Sequence, residues 1–124
     1  MTAAGHAQPP DGSWQLRVSD GAGRTRVEAT IHFTEEEAKS CIGGTWKRIV
    51  VDKATASDEA FFPLAKALAY ELKDGRLTLG RTWLCDGYLF MNGALAPAAI
   101  EGSYFAFGLG GRQPLGTFTL KKAD

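Results

Sequence analysis

The side chains best equipped for chemistry are few and scattered: Cys41 and Cys85, His6 and His32, the adjacent acids Asp58 and Glu59, and the cluster Trp46-Lys47-Arg48. Two cysteines allow one disulfide and no framework. Closing a loop of about 45 residues between them contributes roughly 3–4 kcal/mol in the chain-entropy model. Cys41 stands just before the pair Gly43-Gly44, and Cys85 lies in the turn-like run Trp83-Leu84-Cys85-Asp86-Gly87. A Cys41–Cys85 disulfide is the first expectation and two buried free thiols the second. A reactive thiol comes last, because Asp86 disfavours the thiolate that a nucleophile needs. The pairing faces a topological difficulty. In a plain meander the third strand starts at one end and the fifth finishes at the other, whereas bonded cysteines need Cα atoms within ~7 Å. Either the 35–44 segment climbs along the barrel, or the long 52–66 loop changes strand polarity, or the bond does not form.

The remaining groups assemble no active site. His6 belongs to a loose N-terminal stretch, and His32 falls on the polar face of a strand. Two separated histidines cannot supply a zinc set even with the cysteines, so no metal and no cofactor is expected. No Gly-x-Ser-x-Gly, Walker loop or His-Glu-x-x-His is present. Gly108-Leu109-Gly110-Gly111 precedes no helix that would meet a phosphate, so it reads as a hairpin loop. Asp58-Glu59 shows no facing pair of carboxylates across a substrate. No catalytic residue is assigned.

Charge narrows the partners. Lys plus Arg and Asp plus Glu are 14 each, so no whole-protein field draws in nucleic acid or an anionic membrane. Trp46-Lys47-Arg48 resembles a base-stacking and phosphate-gripping cluster, but no wider basic stripe surrounds it; nucleic acid is not an expected partner. No apolar run approaches the ~20 residues of a membrane-spanning helix.

The elements that must position these groups are strands. Trp14, Leu16 and Val18 alternate with Gln15 and Arg17 over 13–19, and Val27, Ala29, Ile31 and Phe33 alternate with Arg26, Glu28, Thr30 and His32. Thr34-Glu35-Glu36-Glu37 reads as a capping box for one helical turn through Ser40. A third strand is expected over 45–52. Its apolar groups fall on both faces, so either both faces are covered or Arg48 lies inside a cavity. Residues 52–66 form the longest irregular stretch, in which Ser57-Asp58-Glu59 is suited to cap a short helix carrying Phe61 and Phe62. Leu68, Tyr70 and Leu72 then alternate into Asp74-Gly75, and Leu77 and Leu79 alternate away. A two-residue loop sets Lys73 opposite Arg76, Leu72 opposite Leu77 and Tyr70 opposite Leu79. Strands follow over 88–95 and 100–108, a loose loop over 108–114, and a last strand over 115–122. Eight short strands with turn chemistry between them predict an all-β fold: an eight-stranded antiparallel up-and-down barrel, or alternatively a β-sandwich. Residues 1–11 are expected to be a flexible N-terminus and 12–124 a single barrel domain.

Gly12-Ser13-Trp14 at the head of the first strand resembles the Gly-x-Trp opening of the calycins, the lipocalin, fatty-acid-binding and avidin-like barrels. The resemblance covers three residues and the strand count. It implies a barrel with a cavity, with Trp14 packed over one end and Lys121 or Lys122 covering it through a cation–π contact. No residue set matches a biotin or fatty-acid site, and no second lipocalin motif is found.

Trp46, Arg48, Tyr70, Trp83, Tyr88 and Tyr104, with Phe61 and Phe62 near a lid, are the candidate ligand-binding residues: apolar walls with a few polar tips. On the plainer and preferred reading the same aromatics are core and girdle. The leading functional expectation is a non-catalytic module binding a small apolar or aromatic ligand in the barrel mouth. The alternative is a protein-interaction module of inhibitor or immunity type using the 52–66 and 108–114 loops. An enzyme ranks third. A secreted or periplasmic location goes with the disulfide, and a cytoplasmic one is the alternative.

Overall fold

The computed structural model describes residues 10–40, 44–65, 67–81, 88–108 and 110–123. Their strands are β1 (Trp14–Asp20), β2 (Thr25–Glu37), β3 (Lys47–Ala56), β4 (Leu68–Lys73), β5 (Arg76–Arg81), β6 (Tyr88–Ala94), β7 (Ala99–Gly108) and β8 (Gly111–Lys122). Each pairs antiparallel with the next, and β8 pairs with β1, so the sheet is a closed barrel. This is the expected all-β architecture, and it is consistent with a calycin-like fold. The strand ends β1-start, β2-end and β8-end mark what we call the terminal end. The β1–β2, β3–β4, β5–β6 and β7–β8 connections mark the far end.

Alternation sorts the chain between core and water as expected. Leu16, Val18, Val27, Ala29, Ile31, Leu77, Leu79 and Leu120 are fully buried on the inner face. The Asp74-Gly75 hairpin has the expected register, Lys73↔Arg76, Leu72↔Leu77 and Tyr70↔Leu79. Both turn residues have positive φ, 55° at Asp74 and 76° at Gly75, the geometry of a type I′ loop whose twist matches its strands.

Several expectations are corrected. Thr34 to Glu37 is not a helical turn but the end of β2, where Glu37 pairs with Lys47. The Thr34 hydroxyl is engaged across the sheet instead, donating to the Arg48 carbonyl at 2.9 Å. β3 begins at Lys47 and runs on to Ala56, which shortens the irregular stretch that follows. That stretch holds a turn rather than a helix: the Asp58 carbonyl accepts from the Phe61 and Phe62 amides. The loose loop expected over 108–114 is a tight hairpin, because Gly108 pairs with Gly111 and Ala106 with Gln113. The structure shows no disulfide, which overturns the expected Cys41–Cys85 bond. Both cysteines lie outside the described residues.

Packing is uneven around the barrel. β3 pairs with β4 only through Lys47↔Tyr70, Arg48↔Ala69 and Ile49↔Leu68, although β3 continues for seven residues more. The chain between them turns back into the barrel and fills the gap from inside, with Phe62 fully buried and Leu64 nearly so. A second, smaller cluster lies on the outer face, where Trp46 packs with Ala69, Phe90 and Phe105. Gly80 sits beneath it in register with Ala69 and Phe90. A Cβ at Gly80 would fall 1.9 Å from the Leu89 carbonyl oxygen, so backbone on the neighbouring strand would have to move. Gly80→Ala is therefore expected to lower stability by about 1–3 kcal/mol, the usual cost of overpacking; an unchanged urea midpoint would show that the β5–β6 approach is looser than drawn.

Candidate functional site

The inner aromatics sort into two groups at opposite ends. At the terminal end Phe33 lies edge-on to Trp14 and to Tyr70, with ring centres 6.4 and 5.0 Å apart. The Tyr70 hydroxyl donates to the Thr34 carbonyl at 2.6 Å. At the far end Phe61 and Phe62 both lie edge-on to Tyr104, 5.1 and 5.6 Å away, and the Tyr104 hydroxyl donates to the Phe61 carbonyl. Burial pushes the Tyr70 phenol up to about 12, with the Glu35 charge adding to it. Burial raises Tyr104 further, and the Arg81 charge partly offsets the rise. Both hydroxyls are thus protonated donors at neutral pH.

The other candidate residues sit elsewhere. Trp46 and Tyr88 both stack on the outer-face Phe90, with ring centres 6.0 and 5.6 Å from it. Arg48 points outward and meets Glu36 at 3.3 Å, so it does not enter the barrel. Lys47 pairs with Glu35. Trp83 lies outside the described residues. The sequence-derived set is therefore divided among a terminal-end core (Tyr70), a far-end core (Phe61, Phe62, Tyr104) and the outer face (Trp46, Arg48, Tyr88). Lys122 ion-pairs with Asp11 at 3.0 Å, rather than making the expected cation–π contact, and the Trp14 indole N–H donates to the Asp11 carbonyl at 3.0 Å.

Two concave regions are formed by described residues. The first, at the terminal end, is a wide groove under Trp14, Pro97 and Lys122. Its polar groups are already committed through Asp11. The second is a cavity of about 330 Å³ at the far mouth. Its inner side is made by residues that the ladder places on the inward row: Arg81 opposite Leu89, Leu89 opposite Ala106, and Ala106 opposite Gln113. Its rim is Tyr88, Phe107 and the glycines of the β7–β8 turn. Phe107 is 48 % exposed, a high value for so large an apolar side chain. Arg112, on the outer face of the same hairpin, lies over the Phe105 ring at 3.8 Å and props the rim from outside.

Of these groups the sequence pointed to Tyr88 as a ligand-binding candidate and to the 108–114 loop, which holds Gly108, Gly110, Gly111 and Gln113, as an interaction loop. Arg81 was missed, although the signal was present: Leu77, Leu79 and Arg81 share one phase of the alternation, which places a cation at the end of a buried row. No group of three or more His, Cys, Asp or Glu among the described residues is arranged to hold a metal ion. Comparison with family models, curated proteins and solved structures finds no match.

Beside the cavity, the plug is strapped to the wall. Arg26 on β2 donates to Asp58 through Nε at 3.1 Å and to Asp20 through a terminal nitrogen at 3.1 Å, and its guanidinium lies over Phe61 at 5.3 Å. The hydrogen bond from Arg26 holds the Asp58 carboxyl below its ordinary value, helped by the Phe61 amide. A carboxylate lowered by folding stabilises the strapped state above its unfolded pKa, and that contribution disappears as pH falls through the folded value. The protection factors of the Phe61 and Phe62 amides, taken against the intrinsic rate at each pH, are therefore expected to fall below about pH 4 and to be low at all pH values in Asp58→Ala. Equal protection in parent and variant across the acid range would show that the ring contacts alone hold the plug.

Proposed function

We propose that this chain is a non-catalytic binding module of calycin-like type that takes a small apolar or aromatic ligand at the far mouth of its barrel. The observation that carries this reading is where the empty space lies. The barrel axis is occupied by packed side chains and by the Phe61-Phe62 plug, whereas the far mouth keeps a cavity of about 330 Å³ with aromatic residues on its rim. That volume is at the small end of the ~300–1,000 Å³ typical of ligand sites, suiting one or two rings rather than a long acyl chain. Tyr88 and Phe107 supply flat apolar walls, and Leu89 and Ala106 an apolar floor. Phe61 and Phe62, packed edge-on to Tyr104, lie outside the lining of this cavity.

A protein-interaction module is the second reading, favoured by the exposure of Phe107 on the β7–β8 hairpin. Exposed apolar groups of this kind recur at the centres of protein contacts.

Amide chemical shifts separate the two. Titration with one- and two-ring aromatic compounds, charged and neutral, is expected to move Leu89, Ala106 and Gln113 together. Ala106→Phe, which fills the floor, is expected to abolish those shifts without unfolding the barrel. Shifts that survive in Ala106→Phe, or no shift at millimolar compound, would sink the ligand reading.

A further inference from the structure

Arg81 ends the inward row of β5 after the fully buried Leu77 and Leu79. Its Nε is buried and has no hydrogen-bond partner among the described residues. It also takes part in none of their ion pairs, while Arg17, Arg26 and Arg48 each meet a carboxylate. Arg81 as a whole is half-buried; its guanidinium is always charged, and withdrawing even one of its N–H donors from water without an acceptor is costly. Among the described residues that line this mouth with Arg81, none is acidic. The phenol that senses its charge, Tyr104, already donates its proton to the Phe61 carbonyl. A cation held against an empty, apolar-walled cavity is complementary to one class of molecule.

We propose that Arg81 anchors an oxyanion, so that the ligand is an aromatic carboxylate or phosphate monoester of one or two rings. Its anionic group meets the guanidinium fork at the inner side of the mouth, and its ring lies against Tyr88 and Phe107. A planar fork with paired N–H donors matches the two oxygens of either group. The amide of Gln113, across the mouth, is a further donor within the same lining. This inference rests on the far mouth being the ligand site.

Calorimetry of the full chain with 2-naphthoate, 2-naphthyl phosphate and neutral 2-naphthamide tests it. One or both oxyanions are expected to bind about tenfold or more tightly than the amide. Arg81→Met is expected to erase that preference. It is also expected to melt no lower than the parent, since it replaces a half-buried group with an unpaired N–H by an apolar chain of similar length. Whichever oxyanion binds better identifies the headgroup. Equal affinity of all three compounds for the parent would overturn the anchoring role while leaving the mouth as a binding site. Absence of binding by all three would overturn both. A clear loss of thermal stability in Arg81→Met would show that the guanidinium serves the fold, and would also overturn the proposal.

Discussion

The ladder between β1 and β8, running from Trp14↔Lys122 to Asp20↔Gly116, converts a row of strands into a closed wall. Closure removes the sheet edges that the first and last strands would otherwise expose, and it commits one face of every strand to a shared interior. An eight-stranded barrel is about wide enough for side chains to fill. Ile31, Leu79, Met91, Ile100 and Leu120 do so here, each essentially inaccessible to water. The wall is incomplete only where β4 starts late beside β3, and the chain compensates locally. Phe62 and Leu64 enter from the far end, and Arg26 and Tyr104 hold that segment in place from two sides.

The barrel thus carries aromatic packing on both sides of one sheet. Inside, Trp14, Phe33 and Tyr70 close the terminal end, and Phe61, Phe62 and Tyr104 close part of the far end. Outside, Trp46 is folded over the small residues Ala69 and Gly80 and stacks on Phe90. The outer cluster ties the segment before β3 to β4, β5 and β6, strands with which Trp46 has no backbone ladder. The Tyr70 hydroxyl ties β4 to the end of β2 and the Tyr104 hydroxyl ties β7 to the Phe61 segment, so both are structural donors rather than free polar tips. Among the described residues an unfilled space lies at the mouth between β5, β6, β7 and β8, and there the chain places a guanidinium.

Local signals carried much of the fold. The Asp74-Gly75 hairpin was legible to the residue pair because turn type and alternating apolar groups specify the same register over a few residues. β2 was legible in facing because its polar and apolar residues alternate without exception from Arg26 to Phe33. Thr34-Glu35-Glu36-Glu37 misled because a capping box and a polar strand end share a composition. The choice was made by Lys47, ten residues on, which pairs with Glu37. The facing of Trp46 and Arg48 was equally unreadable. It depends on Phe90 and on Glu36, contacts made across strands rather than along one.

The sequence by itself determined the secondary-structure type, the strand count and which side of most strands is dry, because a period of two and the turn residues are properties of neighbours along the chain. Only the tertiary structure decided which residues share a space. It put Tyr70 and Tyr104 at opposite ends, folded Trp46 onto Phe90 across two intervening strands, and brought Arg81, Leu89, Ala106 and Gln113 into one mouth. Those relations depend on how far each strand is sheared against its neighbour and on where the wall closes. They are set by backbone pairing summed around the whole barrel, which no single stretch of sequence encodes.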